Sequence, residues 1–174
     1  MSDTMPSNTR LWDSLGKTDP AHTKGFKRAG GFSGTAIKPM WQNKRMTEQF
    51  GPCGIGWGMH EPKFNVQFAD KEGLVFCHIA VWYKEGDDIG IVYGVGGDKF
   101  LIQQSSGLRS SDEAFKAAFT DAIGNALKFI GVAADVHMGL FDDSKYVSEM
   151  KKEFTKRPAP EDESQEPGPT RITK

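Results

Sequence analysis

Two sets of side chains have types and spacing suited to chemistry, and in both the chemistry is contact with a polyanion. The first runs from Lys24 to Arg45. Lys24, Lys27, Arg28, Lys38, Lys44 and Arg45 fall there with no acidic residue among them, and Phe26, Phe32 and Trp41 are interleaved. Binding of single-stranded nucleic acid needs cations along the phosphates and, often, aromatic or apolar side chains against the bases. The chain as a whole has a net charge of −1, so the local cluster carries this signal. A solvated basic loop anchored by its aromatics has the same composition. The second set lies in Ser110–Asp143, which reads as an amphipathic helix. Ser110 and Glu113 have capping-box spacing, and Gly131 is placed as the stop, where a left-handed residue is needed. Phe115, Ala118, Phe119, Ala122, Ile123, Ala126 and Ile130 recur at helical spacing as the expected buried stripe. Lys116, Thr120, Gly124 and Lys128 form the opposite face. Small or hydroxylated residues with a Lys at each end leave room for something flat or anionic.

No catalytic constellation accompanies these sets. His22, His60, His78 and His137 are scattered, with no Cys or carboxylate at metal-ligand spacing. Gly30–Lys38 is Gly-rich but lacks the Gly-Lys-Ser/Thr run of a Walker loop. Gly94-Val95-Gly96-Gly97 does not open a helix, so a dinucleotide fingerprint fails as well. The pairs Asp87-Asp88 and Asp142-Asp143 read as solvated turns rather than ion ligands. No enzyme, cofactor or metal is therefore expected. Cys53 and Cys77 are too few for a disulfide framework and read as reduced thiols. There is no apolar leader, and no run approaches the ~20 apolar residues of a membrane span. A cytoplasmic protein is expected.

The elements that must position these residues follow from periodicity. The chain of 174 residues suits one domain, expected over 11–154, with disordered ends at 1–10 and 155–174. The end segment from Thr155 holds four prolines and mixed charge without apolar periodicity. Leu11–Leu15 reads as a short helix, Thr18–Thr35 as a structured arm, Ile37–Met40 as a short strand and Met40–Phe50 as a helix stopped by Gly51-Pro52. Three strand stretches follow, Gly56–Phe68, Leu74–Tyr83 and Ile89–Ile102, broken by polar turns at Asp70–Gly73 and Glu85–Asp88. Sequential strands with short turns imply an antiparallel meander. The fold class is therefore α+β: a three- to four-stranded antiparallel β-meander packed by a long helix, a β-β-β-α core.

Two stretches also resemble a known family. Ala118-Phe119-Thr120-Asp121-Ala122-Ile123-Gly124-Asn125-Ala126-Leu127-Lys128-Phe129-Ile130-Gly131 is similar to the DNA-binding helix of single-strand annealing proteins, the Rad-fifty-two-like superfamily with its phage-encoded recombinases. Arg45-Met46-Thr47-Glu48-Gln49-Phe50-Gly51-Pro52-Cys53-Gly54-Ile55-Gly56-Trp57 looks like that family's helix leading into the first long strand. The resemblance covers Ile37 to Asp143.

It implies a ring or filament of subunits whose Ser110–Ile130 helices line an inner DNA groove. Of the family's three basic helix positions only Lys128 is basic here; Gly124 and Asn125 hold the others. The Lys24–Lys38 arm is expected to supply the missing charge. The expected DNA-binding residues are Lys24, Lys27, Arg28, Lys38, Trp41, Lys99, Arg109 and Lys128, with Lys44 and Arg45 outside the groove. The expected partners are single-stranded DNA, its complementary strand, further copies of the chain, and a single-strand-binding protein or exonuclease, with no membrane. The function expected is ATP-independent annealing in recombination or repair. A protective single-strand coat is the alternative; a metal-dependent nuclease and a virion scaffold are more distant.

Overall fold

A computed structural model describes residues 7–27 and 30–156. The architecture is α+β with two antiparallel sheets. A short helix α1 (Arg10–Leu15) and a 3-10 turn (Pro20–His22) lead into a hairpin of β1 (Thr23–Lys27) and β2 (Ser33–Ile37). Helix α2 (Pro39–Phe50) follows, then β3 (Trp57–Met59), β4 (Lys63–Ala69), β5 (Glu72–Glu85), β6 (Asp88–Gln104) and β7 (Gly107–Ser110). The main sheet runs β3-β5-β6-β7, with β4 also on β5. After it come α3 (Ala114–Leu127), a 3-10 turn at Lys128–Ile130, α4 (Ala134–His137), a 3-10 turn at Leu140–Asp142 and α5 (Ser144–Lys156).

The long β5–β6 hairpin is the frame. Val75, Cys77, Ile79 and Val81 alternate into the core from β5, as period-2 geometry requires. On β6 the inward positions are Gly94 and Gly96. A Cβ built on Gly94 would lie 2.0 Å from the Ala122 carbonyl oxygen, and one on Gly96 would lie 2.3 Å from that of Ala118. Strand and helix backbones therefore touch, and Ala118, Ala122 and Ala126, each fully buried, form the matching helical stripe. The glycine run 94–97, which has no nucleotide role, is what lets α3 sit directly on the sheet.

The same core continues around the far end of α3. Leu15, Ile130, Val132 and Ala133 are buried together. The Asp135 carboxylate, 4% exposed, accepts hydrogen bonds from the Thr18 amide (2.8 Å), the Thr18 hydroxyl (2.6 Å), the Val136 amide (2.8 Å) and the Tyr146 hydroxyl (3.0 Å). One buried charge thus ties the segment after α1, α4 and α5 together. Such a charge is tolerable only because its lone pairs are used.

Several expectations need correction. The sheet has five strands: His60-Glu61-Pro62 splits the first predicted strand into β3 and β4, because Pro cannot donate to a central ladder. Residues 37–40 are not a strand; β2 ends at Ile37 and α2 begins at Pro39, a residue suited to a first helical position. The Ser110–Glu113 capping box does not form: Ser110 pairs with Leu101 as the end of β7, and α3 starts at Ala114 with no side-chain cap. Gly131 does take the left-handed conformation (φ 92°) at the predicted stop. Phe115 stands partly exposed on Phe64 and Phe100 rather than in the core. Helix α5 has no counterpart among the expected elements, although Tyr146, Val147, Met150 and Phe154 have helical spacing. Of the ends expected to be disordered, 1–10 and 155–174, Arg10 belongs to α1 and Thr155 and Lys156 to α5, while 1–6 and 157–174 lie outside the described residues.

Candidate nucleic-acid interface

The β1–β2 hairpin stands against the outward face of α3, and the space between them is a groove of about 630 Å³. Its hairpin wall is Thr35, Ala36 and Ile37; its helix wall is Lys116, Thr120, Gly124 and Asn125, with Gln42 of α2 at the base and His137 at one end. Lys116, Thr120 and Gly124 are three of the four positions read from the sequence as an open face. Each has a local reason to stay there. The Thr120 hydroxyl donates back to the Lys116 carbonyl at 2.9 Å. Lys116 holds Glu113 at 2.7 Å, and that carboxylate pushes the ammonium's pKa up. A Cβ on Gly124 would come within 3.2 Å of the Gln42 amide oxygen, so Gly124 keeps the floor low.

Two further helix side chains close an open sheet edge. Between Asp88 and Phe100, β6 has a strand on one side only. The Asn125 amide donates to the Val95 carbonyl at 3.0 Å, and the Asp121 carboxylate accepts from the Gly97 amide at 3.4 Å. The polar residues of α3 thus cover backbone groups that would otherwise invite another strand.

The predicted residues distribute unequally around this groove. Lys24 and Lys27 are exposed on β1, on the hairpin but outside the groove wall, with no ion pair among the described residues. Lys128 lies just beyond the groove wall at the His137 end, its ammonium 3.4 Å from the Asn125 amide oxygen and 5.6 Å from the Phe129 ring centre. It is close enough to His137 to lower that imidazole's pKa, a smaller effect than burial in the same direction; Asp135 opposes both. Lys38 precedes α2 and donates to the Ala21 carbonyl at 3.0 Å, so its ammonium already holds the Pro20–His22 turn. Trp41 is 6% exposed and stacks on His22, ring centres 6.2 Å apart; it is a core anchor that positions the arm, and its ring does not face the groove. Lys99 pairs with Glu72 at 2.7 Å on the main sheet, and Arg109 is on β7; neither lines the groove. Arg28 lies outside the described residues. Lys44 and Arg45 share Glu48, at 3.6 and 2.6 Å, and neither lines the groove; Lys44 is exposed, whereas the Arg45 side chain is mostly buried and donates to the Ser14 carbonyl at 2.7 Å.

Sequence reasoning missed Thr35, Gln42, Asp121 and His137 as groove residues. For Asp121 the signal was available: it follows Thr120 at the border of the polar face. Thr35 and His137 come from other elements and meet α3 only through tertiary packing. Among the described residues, no three His, Cys, Asp or Glu side chains converge as metal ligands, and no helix is long and apolar enough to cross a membrane. No protein-family model matches this chain, and no curated protein matches it.

Proposed function

We propose that the chain binds single-stranded DNA in the groove between the β1–β2 hairpin and α3, and that copies assembled side by side anneal complementary strands without ATP. The observation that carries the reading is the outward face of α3: Lys116, Thr120 and Gly124 wall a groove opposite a hairpin bearing Lys24 and Lys27, with Lys128 just beyond Asn125. A phosphate backbone can approach such a floor closely, while bases stay accessible for pairing. The resemblance of residues 118–131 to the annealing-protein helix supports the same strand-aligning role.

Assembly is part of the proposal and has its own support. On the sheet face away from α3, Ile89, Ile91, Tyr93 and Val95 are all exposed, Tyr93 by 69%. Four such side chains in register amount to roughly 400 Å² of contiguous apolar surface, in the range that marks interaction sites. Covering this face with a neighbouring subunit would align successive grooves into one channel, as a ring or filament does.

The deciding measurement is annealing of two labelled complementary oligonucleotides without ATP. Faster annealing with the protein is the expected result. Binding with slowed annealing would replace this reading with a protective coat, and absence of binding would remove DNA altogether.

A further inference from the structure

Where the hairpin turns away from α3, a second cleft opens from the groove. It measures about 290 Å³ and is walled by Phe26, Phe32, His137 and Phe141, with Ser33 and Asp142 at its polar rim. Thr35 and His137 line both the groove and this cleft, so the two are continuous. The Phe26 ring packs over Gly34, where a Cβ would meet it at 3.0 Å, and tilts against Phe32 with ring centres 6.0 Å apart. Phe141 is fixed edge-on by Tyr146 at 5.9 Å. Phe32 is 61% exposed, although burying a Phe is normally favourable by roughly 1.5–3 kcal/mol.

Lys27 sits on the adjacent side of the same hairpin, beside Asp142. An aromatic slot with a cation next to it and a polar rim suits a planar heterocycle joined to a phosphate. Resting on the DNA reading above, we propose that this cleft receives one unstacked nucleobase of the bound strand, between Phe32 and His137, and so fixes where each subunit sits along the strand. Burial and the Lys128 ammonium lower the His137 pKa, which favours the neutral imidazole, able to donate from one nitrogen and accept at the other. Aromatic stacking is tolerant of base identity, so the cleft sets register without selecting sequence.

The test compares an oligothymidylate with a strand of the same length in which the bases are replaced by abasic sites. The wild-type protein is expected to bind the thymidylate about tenfold more tightly. Phe32→Ala is expected to remove that preference while leaving the salt slope of binding unchanged, and Phe32→Tyr to restore it. Phe32 is exposed, so these variants should keep the fold, checked by their melting temperatures. Equal wild-type affinity for the two strands, or a preference that survives Phe32→Ala, overturns the base cleft and leaves groove binding standing. Binding of neither strand overturns the DNA reading and the cleft with it.

Discussion

The inward and outward faces of α3 are both built from small residues, and they do opposite things. Inward, Ala118, Ala122 and Ala126 meet Gly94 and Gly96, and backbone touches backbone with no room for a methyl group. Outward, Thr120 and Gly124 meet open space and the end of one flexible side chain, Gln42. A small residue is a packing requirement when backbone lies opposite and an access feature when solvent does. Sequence periodicity marks both faces and does not distinguish the two roles.

The largest expected effect tests the packed face. Gly96→Val would push side-chain carbons into the Ala118 carbonyl and the Ala122 amide, neither of which can move without displacing the helix. Overpacking usually costs about 1–3 kcal/mol; with rigid backbone opposite, the upper end or beyond is expected. In a chain of this size each kcal/mol lowers Tm by roughly 2–4 °C, so a fall of roughly 6 °C or more should appear in thermal unfolding. An unchanged Tm would mean that α3 does not lie on β6 as described.

Trp41→Ala is expected to have an effect of similar size, and it separates the core from the groove. Loss of a buried Trp typically costs about 3–5 kcal/mol, and the His22 stack would be lost with it. The salt dependence of DNA binding should keep its slope in the molecules that remain folded. A lower slope with normal stability would return Trp41 to the DNA surface.

The comparison also shows how much was readable beforehand. The turns at Asp70 and Glu85, the Gly131 stop and the polar face of α3 were legible because each depends on local residue chemistry. The capping box was legible and wrong: Ser110 has the right spacing, but pairing with Leu101 claims its backbone for β7, and a strand contact overrides a cap worth about 1 kcal/mol. Lys38 and Trp41 were assigned by type to a basic, aromatic arm. Their orientation depends on the Pro20–His22 turn folding back onto α2, a contact no periodicity encodes. The groove's second wall was invisible for the same reason, since Thr35 and His137 are 102 positions apart in the chain.

On the open face the expected changes are in binding. Lys24→Ala and Lys128→Ala should each lower the slope of log affinity against log salt by roughly 0.7 for a single strand, with melting temperatures close to wild type. An unchanged slope would remove that residue from the phosphate path. Gly124→Ala probes the floor itself. Exchanging Gly for Ala inside a helix gains up to about 1 kcal/mol, and the Gln42 amide can shift the few tenths of an ångström the new methyl group needs. The variant should therefore melt at or slightly above the wild-type temperature. A destabilised Gly124→Ala would make the outward face as tightly packed as the inward one and end the distinction between them.

The smallest effects are expected at Lys99 and Arg109, which are basic like Lys24 and Lys128 but lie on the main sheet rather than on the hairpin or beside α3. Lys99 holds Glu72 on the main sheet with both side chains more than 40% exposed. A pair so well solvated contributes about 0–1 kcal/mol, and Lys99→Ala should change neither Tm nor the salt slope measurably. Arg109→Ala on β7 should behave alike for a single subunit on DNA. A drop of roughly 0.7 in slope for either variant would extend the DNA path off α3 and onto the sheet, and the hairpin and α3 would then no longer enclose the whole binding surface.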